Sequence, residues 1–412
     1  MGELQVDVDA AEVGLDEGRL ARLDQHFHRY VEDERLPGWL AVVARQGRVA
    51  HVGVDGWRDR EQVLPVEVDT VWRLASMTKP ITSVAAMMLY EQGAFELKDP
   101  VERFLPEFRH MHVYRGGSGP RVATRPAGEP IRVWHLLTHT AGLTYGFHYA
   151  HPVDALYRAA GFEWGSPPGL DLAGCCEAWA ELPLLFEPGT EWNYSVATDV
   201  LGRLVEVLSG QSLDEFFRTR IFAPLGMTDT GFWAPEGSTA ERLAAAYAAN
   251  PAGPSSPAVA IDGSASLRAP AMLSGGGGLV GTAADYLRFG LMLRGGGAWE
   301  GVRLLSPRTV AYMTANHLPG GVDLEQFGRP LFAETTFDGV GFGLGLSVVT
   351  DPVKGKVLCG RAEYGWGGAF STAFWVAPAE DLVVLFFTQL LPSSTYPIRS
   401  QLKQLVYQAL LD

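Results

Sequence analysis

The chain is 412 residues long, 47% hydrophobic and 19% charged, the balance of a globular protein with a substantial core. Its formal net charge is −14, from 47 acidic and 33 basic side chains, and no Lys/Arg cluster is interleaved with aromatics. Nucleic acid and anionic membrane surfaces are therefore excluded as partners, because both would repel it.

The start, Met1-Gly-Glu-Leu-Gln-Val-Asp-Val-Asp9, is acidic and lacks the basic-then-apolar pattern of a secretory leader. The longest apolar run, Leu382–Phe387, is far short of a spanning helix. The expected location is the cytoplasm, with no membrane association. Three cysteines (Cys175, Cys176, Cys359) include an adjacent pair and no CxxC spacing, so neither a disulfide framework nor a zinc site is suggested.

Residues 16–35 carry Leu20, Leu23, Phe27, Tyr30 and Val31 at helical spacing. A hairpin follows, Trp39–Arg45 and Arg48–Val54, turned at Gln46-Gly47. The pairs Arg45/Arg48 and Arg218/Arg220 read as solvated faces. Residues 80–250 and 280–315 carry mostly helical patterns and loops. Near the C-terminus, strand patterns recur at Phe342–Thr350, Ala373–Val376 and Leu382–Phe387, before a last helix over Ile398–Leu411. Strands at both chain ends around a helical middle predict an α/β (α+β) fold. Its antiparallel sheet is built from both ends, flanked by helices, with a helical insertion. The expected division is a sheet domain of residues 1–80 and 265–412 and a mainly helical domain of 81–264, with the site at their junction. Long segments at 110–131, 145–170, 250–270 and 318–340, rich in Gly, Pro and aromatics, read as loops.

Ser76-Met-Thr-Lys79 is the most informative feature. It sets a hydroxyl and an amine three residues apart at the start of a helical stretch, where positions i and i+3 share a face. A serine hydroxyl attacks only once a base takes its proton, and a desolvated lysine can be that base or assist one. The plain alternative is a helix start with Ser76 as cap and Lys79 in solvent. Against it, Lys79 is one of only five lysines, and Ile81–Gln92 is apolar nearly all round, so its first turn is carried inside the protein.

Two further segments supply what such chemistry needs. Tyr194 follows a Pro-Gly turn and precedes a helix; a tyrosine hydroxyl near an ammonium ionises more readily and can serve as base. Tyr364-Gly-Trp-Gly-Gly-Ala-Phe-Ser-Thr372 puts glycines where a strand backbone can approach a substrate and offer N–H donors to an oxyanion. Other readings carry less. Gly276–Gly281 matches G-x-G-x-x-G but lies late, after Pro270, and reads better as a tight turn capped by Thr282 and Asp285. No G-x-S-x-G occurs, His110-Met-His112 lacks a third ligand, and His139 reads as a structural residue bonding a loop near the site.

In order, Ser76-x-x-Lys79, Tyr194-Ser195 and Trp366-Gly367-Gly368 resemble the three motifs of the serine β-lactamase and penicillin-recognising superfamily. The nearest resemblance is to the family VIII carboxylesterases, which share the class C β-lactamase fold. Flanking phrases at Leu136–Leu143, Ala223–Thr230 and Gly275–Asp285 extend it from about residue 35 to the end. The resemblance implies Ser76 as nucleophile, Lys79 and Tyr194 as the base system, an oxyanion hole of the Ser76 and Ala369 N–H groups, and no cofactor. Trp366, Gly367 and Gly368 would border the substrate.

Class C β-lactamases carry Asn two residues after the tyrosine, where this chain has Val196, and Lys-Thr-Gly where it has Trp366-Gly367-Gly368. An indole replaces a cation with apolar surface and one donor. The expected function is a serine carboxylesterase acting on small neutral short-chain esters, with Trp366 and an aromatic loop, 145–164, lining an apolar pocket. The alternatives are a weak β-lactamase or D-amino peptidase, an acyltransferase using the same acyl-enzyme, or a binding protein without turnover. The intact Ser, Lys and Tyr argue against the last.

Overall fold

The computed structural model describes residues 4–329 and 336–412. Its frame is an eight-stranded, wholly antiparallel sheet drawn from both ends of the chain. The strands are β1 (Gly38–Arg45), β2 (Arg48–Asp59), β3 (Leu64–Pro65), β4 (Val340–Phe342), β5 (Ser347–Val349), β6 (Tyr364–Gly367), β7 (Ala373–Ala377) and β8 (Leu382–Phe387). Their spatial order is β4-β5-β6-β7-β8-β1-β2-β3, so the first and last thirds of the sequence meet where β1 pairs with β8, Val42 opposite Leu385. The β1–β2 hairpin turns on Gln46 (φ 57°) and Gly47 (φ 78°). Two consecutive left-handed residues match the strand twist of a tight hairpin.

Both faces of the sheet are covered. Trp39, Ala41 and Val43 of β1 and Leu382, Val384 and Phe386 of β8 pack with helices α1 (Glu17–Glu32) and, later in the chain, α5 (Ile398–Tyr407). Leu40, Val42, Val383, Leu385 and Phe387 point the other way, into the core shared by α2 (Thr78–Glu91), α3 (Ala197–Ser209) and α4 (Ala283–Arg294). Strand side chains alternate faces, so a strand covered on both sides becomes apolar throughout, as Leu382–Phe387 is. Helix α2 is buried at every position from Thr78 to Leu89, which puts its first turn inside the protein.

The expected strand Phe342–Thr350 is two strands. Between them the chain turns through Gly343-Leu344-Gly345-Leu346, closed by Gly343 N–H on the Leu346 carbonyl at 2.7 Å. Gly345 adopts φ 86°, and a Cβ there would fall 1.9 Å from Ser83 Oγ on α2. The segment 110–131 holds a hairpin, His112–Gly116 with Ala123–Pro126, and the aromatic stretch 145–164 contains the helix Pro152–Ala159. The loop expected over 318–340 crosses residues 330–335, which lie outside the described residues. Arg45 is not solvated: it is buried, donating to the carbonyls of Val13, Gly14 and Glu380 and pairing with Asp412. That guanidinium ties both chain termini to the central strand.

Candidate active site

Ser76 sits in a one-turn 3-10 helix, Ala75–Met77, that runs into α2. The turn is strained and tightly held. Ala75 adopts φ 46°, a left-handed conformation that costs a residue with a Cβ about 1 kcal/mol or more. Leu74 N–H donates to the Leu279 carbonyl (2.9 Å), Leu279 N–H to Thr78 Oγ1 (3.1 Å), and the Tyr286 hydroxyl to the Met77 carbonyl (2.8 Å).

The i, i+3 relation brings Lys79 to Ser76 as the spacing predicts. Lys79 Nζ donates to Ser76 Oγ at 3.2 Å and, more tightly, to the Gly276 carbonyl at 2.7 Å. Lys79 is only 1% exposed, so the plain alternative of a solvated lysine is wrong. Its ammonium lies 4.4 Å from the centre of the Tyr194 ring and 5.4 Å from that of Tyr145, two aromatic faces that favour a cation.

Tyr194 arrives on the segment leading into α3. Asn193 N–H donates to the His139 carbonyl (2.9 Å) and Asn193 Nδ2 to the Leu143 carbonyl (3.0 Å), which fixes the approach. His139 bonds this loop, as expected of it: its Nδ1 lies 3.2 Å from Ser195 Oγ and its ring packs against Tyr194. Complete burial, with the nearby Lys79 charge, holds His139 well below the usual histidine range. A neutral imidazole spent on loop bonds is a structural residue.

Trp366, on β6, reaches the site from the sheet. Its indole N–H donates to the Tyr194 hydroxyl oxygen at 3.0 Å, and its ring packs edge-on to Phe342. Gly367 and Gly368 follow in close quarters. A Cβ on Gly368 would lie 2.5 Å from the Leu74 carbonyl and 2.3 Å from Thr372 Oγ1; one on Gly367 would strike the Arg399 guanidinium at 2.5 Å. Glycine here lets the strand end lie against the Leu74–Ala75 backbone beside Ser76. Ala369 comes next and lines the same cavity.

That cavity has a volume of about 800 Å³, and Ser76, Tyr194 and Trp366 open onto it together with Val196 and the aromatics Tyr145, Phe147 and Trp164. Tyr145, Phe147 and Trp164 stack in a column, with centroids 4.6 and 4.8 Å apart and planes within 20°. Two participants are not marked as site residues in the sequence, although the first opens the Gly276–Gly281 turn. One is the Gly276 carbonyl, a backbone group with no side chain to announce it. The other is Asp199, a buried carboxylate in the first turn of α3, whose position five residues after Tyr194 resembles an ordinary helix-start acid.

The sequence profile of the Beta-lactamase family matches residues 23–408. Protein Rv1367c of Mycobacterium tuberculosis is 38% identical over 371 residues, covering 87% of this chain and 86% of its own. Esterase EstB of Burkholderia gladioli is 34% identical over 401 residues, 92% of this chain and 93% of its own. Among solved structures, EstCE1, a hydrolase with promiscuous acyltransferase activity, superposes with a TM-score of 0.77 at 30% identity, covering 95% of this chain and 99% of its own. The family match, residues 23–408, spans both halves of the sheet and the stretch of sequence that holds Ser76, Lys79, Tyr194 and Trp366. The chain belongs to the beta-lactamase family, with the serine β-lactamase-like fold of the family VIII carboxylesterases that its motifs resemble.

Proposed function

We propose that the protein is a serine carboxylesterase that cleaves small, neutral, short-chain esters through an acyl-serine on Ser76. The observation that carries this reading is the buried contact of Lys79 Nζ with Ser76 Oγ at 3.2 Å, under a tyrosine ring. In the first half-reaction Ser76 Oγ attacks the ester carbonyl, its proton passes to Tyr194 in its deprotonated form beside the Lys79 ammonium, and Tyr194 returns it to the departing alcohol. The N–H groups of Ser76 and Ala369 hold the oxyanion. In the second half, water repeats the attack on the acyl-serine and frees the acid. The esterase EstB supports the reaction type. Trp366 and Val196, in place of a lysine and an asparagine, support neutral over anionic substrates.

The division into a sheet domain (1–80 with 265–412) and a helical domain (81–264) is part of the same reading, with the serine at their junction. So is a cytoplasmic location: all three cysteines are free, as a reducing compartment keeps them. Among the described residues no helix is long and apolar enough to cross a membrane.

The test is hydrolysis of p-nitrophenyl acetate, butyrate and octanoate beside nitrocefin, in wild type and Ser76→Ala. Ester turnover that disappears in Ser76→Ala is expected; full activity in the variant, or a wild type that prefers nitrocefin, overturns the reading. A second reading, acyl transfer, is favoured by the cavity of about 800 Å³, which has room for an alcohol beside a short acyl group, and by the acyltransferase activity of EstCE1. Added alcohol acceptors would then yield new esters in competition with acid.

A further inference from the structure

Lys79 is a buried cation held chiefly by a carbonyl, and that carbonyl is itself held by an anion. Asp199 is 3% exposed. Its Oδ1 accepts from the Ser274 hydroxyl at 2.6 Å and from Gly276 N–H at 2.9 Å. Gly276 then turns its own carbonyl to Lys79 Nζ at 2.7 Å. The fit leaves no slack: a Cβ on Gly276 would lie 2.5 Å from Asp199 Oδ2. The neighbouring Gly275 carbonyl is tied to α2 by Thr82 Oγ1 at 2.7 Å, so the glycine strip is clamped between two helices.

We propose that Asp199 is a positioning residue for the acyl-transfer reaction: through Gly276 it fixes the Lys79 ammonium against Ser76 and balances its charge. This inference rests on the serine-hydrolase reading of the site. Asp199 lies in the first turn of α3, five residues after Tyr194. One carboxylate therefore joins the segment that carries the tyrosine to the segment that grips the lysine. Burial pushes the Asp199 carboxyl up, while the Lys79 charge and the bonds from Ser274 and Gly276 pull it back toward the ionised form. The titratable groups that face it are Lys79 from α2, Tyr145 from the aromatic loop, and Cys175 and Cys176 from the helix Leu172–Ala180. Burial raises Tyr145 and both thiols, which leaves them protonated at neutral pH. His139 and His148, which feel the lysine, are kept neutral by burial. Asp199 is thus the anion that these groups set against Lys79.

The test is Asp199→Asn, which keeps the shape and an oxygen for Gly276 N–H but removes the charge. Three quantities are read across pH 5–9: kcat and KM for p-nitrophenyl butyrate, and the rate at which a fluorophosphonate labels Ser76. Loss of a charge-assisted hydrogen bond predicts kcat and labelling slower by about 10- to 100-fold, with KM nearly unchanged. With the negative charge gone, protons leave the Ser76–Lys79–Tyr194 set more easily, so the acid limb of both profiles moves to lower pH. Asp199→Glu, with the charge restored but displaced, should return the limb without restoring the rate. A folded Asp199→Asn with wild-type kcat, labelling rate and acid limb overturns the inference. If that variant does not fold, Ser274→Ala removes one of the two donors to the carboxylate, and a kcat and labelling rate within about twofold of wild type overturns the inference instead. A wild type that is labelled at Ser76 but hydrolyses no ester removes the esterase reading alone, and the labelling profiles still decide the role of Asp199.

Discussion

The indole N–H of Trp366 donates to the hydroxyl oxygen of Tyr194 at 3.0 Å, across 172 residues of sequence. The side chain that stands where class C β-lactamases have a lysine is therefore not simply an apolar wall. It holds the Tyr194 oxygen by donating to one of its lone pairs, and in the proposed mechanism that oxygen belongs to the base.

Trp366→Phe keeps the aromatic packing and deletes this donor. A neutral hydrogen bond contributes about 0.5–1.5 kcal/mol net, so kcat on p-nitrophenyl butyrate should fall about 3- to 10-fold with little change in KM. An unchanged kcat would show that Tyr194 needs no such support.

Trp366→Lys tests specificity at the same position. A cation well placed for a substrate carboxylate adds a charge-assisted bond of roughly 1.5–3 kcal/mol, so the nitrocefin to p-nitrophenyl butyrate ratio of kcat/KM should rise. Part of that rise comes from the ester side, because the substitution also unties Tyr194. The gain for nitrocefin is limited by Val196, which offers no amide. A constant ratio means the residue does not discriminate by charge.

In the proposed mechanism Lys79 and Tyr194 act on one proton; the Lys79 ammonium touches Ser76 Oγ and lies 4.4 Å from the tyrosine ring centre. Lys79→Ala and Tyr194→Phe should each lower kcat by about 10²–10⁴, the size of general-base effects. The double variant should be little worse than either single one. Losses that multiply instead would separate the two residues into independent roles.

Gly368→Ala places a methyl group 2.5 Å from the Leu74 carbonyl, nearer than non-bonded atoms settle. The strand end must move off the Ser76 turn and carry Ala369 with it. A displacement of about 1 Å at the proposed oxyanion donor costs about 10² in rate, so kcat should fall by that order while the thermal unfolding midpoint changes little. Wild-type kcat in this variant would remove Ala369 from the oxyanion hole.

The parts legible in the sequence were those that are local. Ser76 and Lys79 meet because one helical turn joins them, and the Gln46-Gly47 hairpin and the Leu382–Phe387 strand follow from patterns a few residues long. The Trp366–Tyr194 bond and the grip of Gly276 on Lys79 were hidden, since each depends on distant segments and the second uses a backbone carbonyl. Arg45 misled for the same reason. At the end of an apolar strand, beside the Gln46-Gly47 turn, a guanidinium reads as solvated, and only the fold brings the Val13, Gly14 and Glu380 carbonyls around it. Phe342–Thr350 reads as one strand because its apolar spacing continues through a turn that Gly343 and Gly345 make possible.

The last prediction concerns acid stability and rests on histidines buried in neutral form. Burial, with the Arg132 charge beside it, pushes His135 down to about 4, and its bare Nδ1 accepts the Arg132 backbone N–H at 3.0 Å. Protonation would turn that acceptor into a donor facing a donor. Burial likewise lowers His148 to about 4 and holds His139 well below its usual range. In the unfolded chain these rings titrate near 6.5, so between about pH 6.5 and 4 the unfolded state binds protons that the folded state refuses. For His135 and His148 the stability this allows is complete above about 6.5, is lost as pH falls through that window, and stops changing below about 4, where their folded rings also charge. For His135 alone the full loss is roughly 3 kcal/mol. His135→Gln keeps an oxygen for the Arg132 N–H and cannot titrate. Urea unfolding at pH 7.0, 5.5 and 4.5 should show wild type losing stability faster than the variant, with the gap between them closing by about 2–3 kcal/mol at the lowest pH. Parallel losses in the two proteins would mean that His135 protonates equally well in the folded chain, against the geometry of its Nδ1.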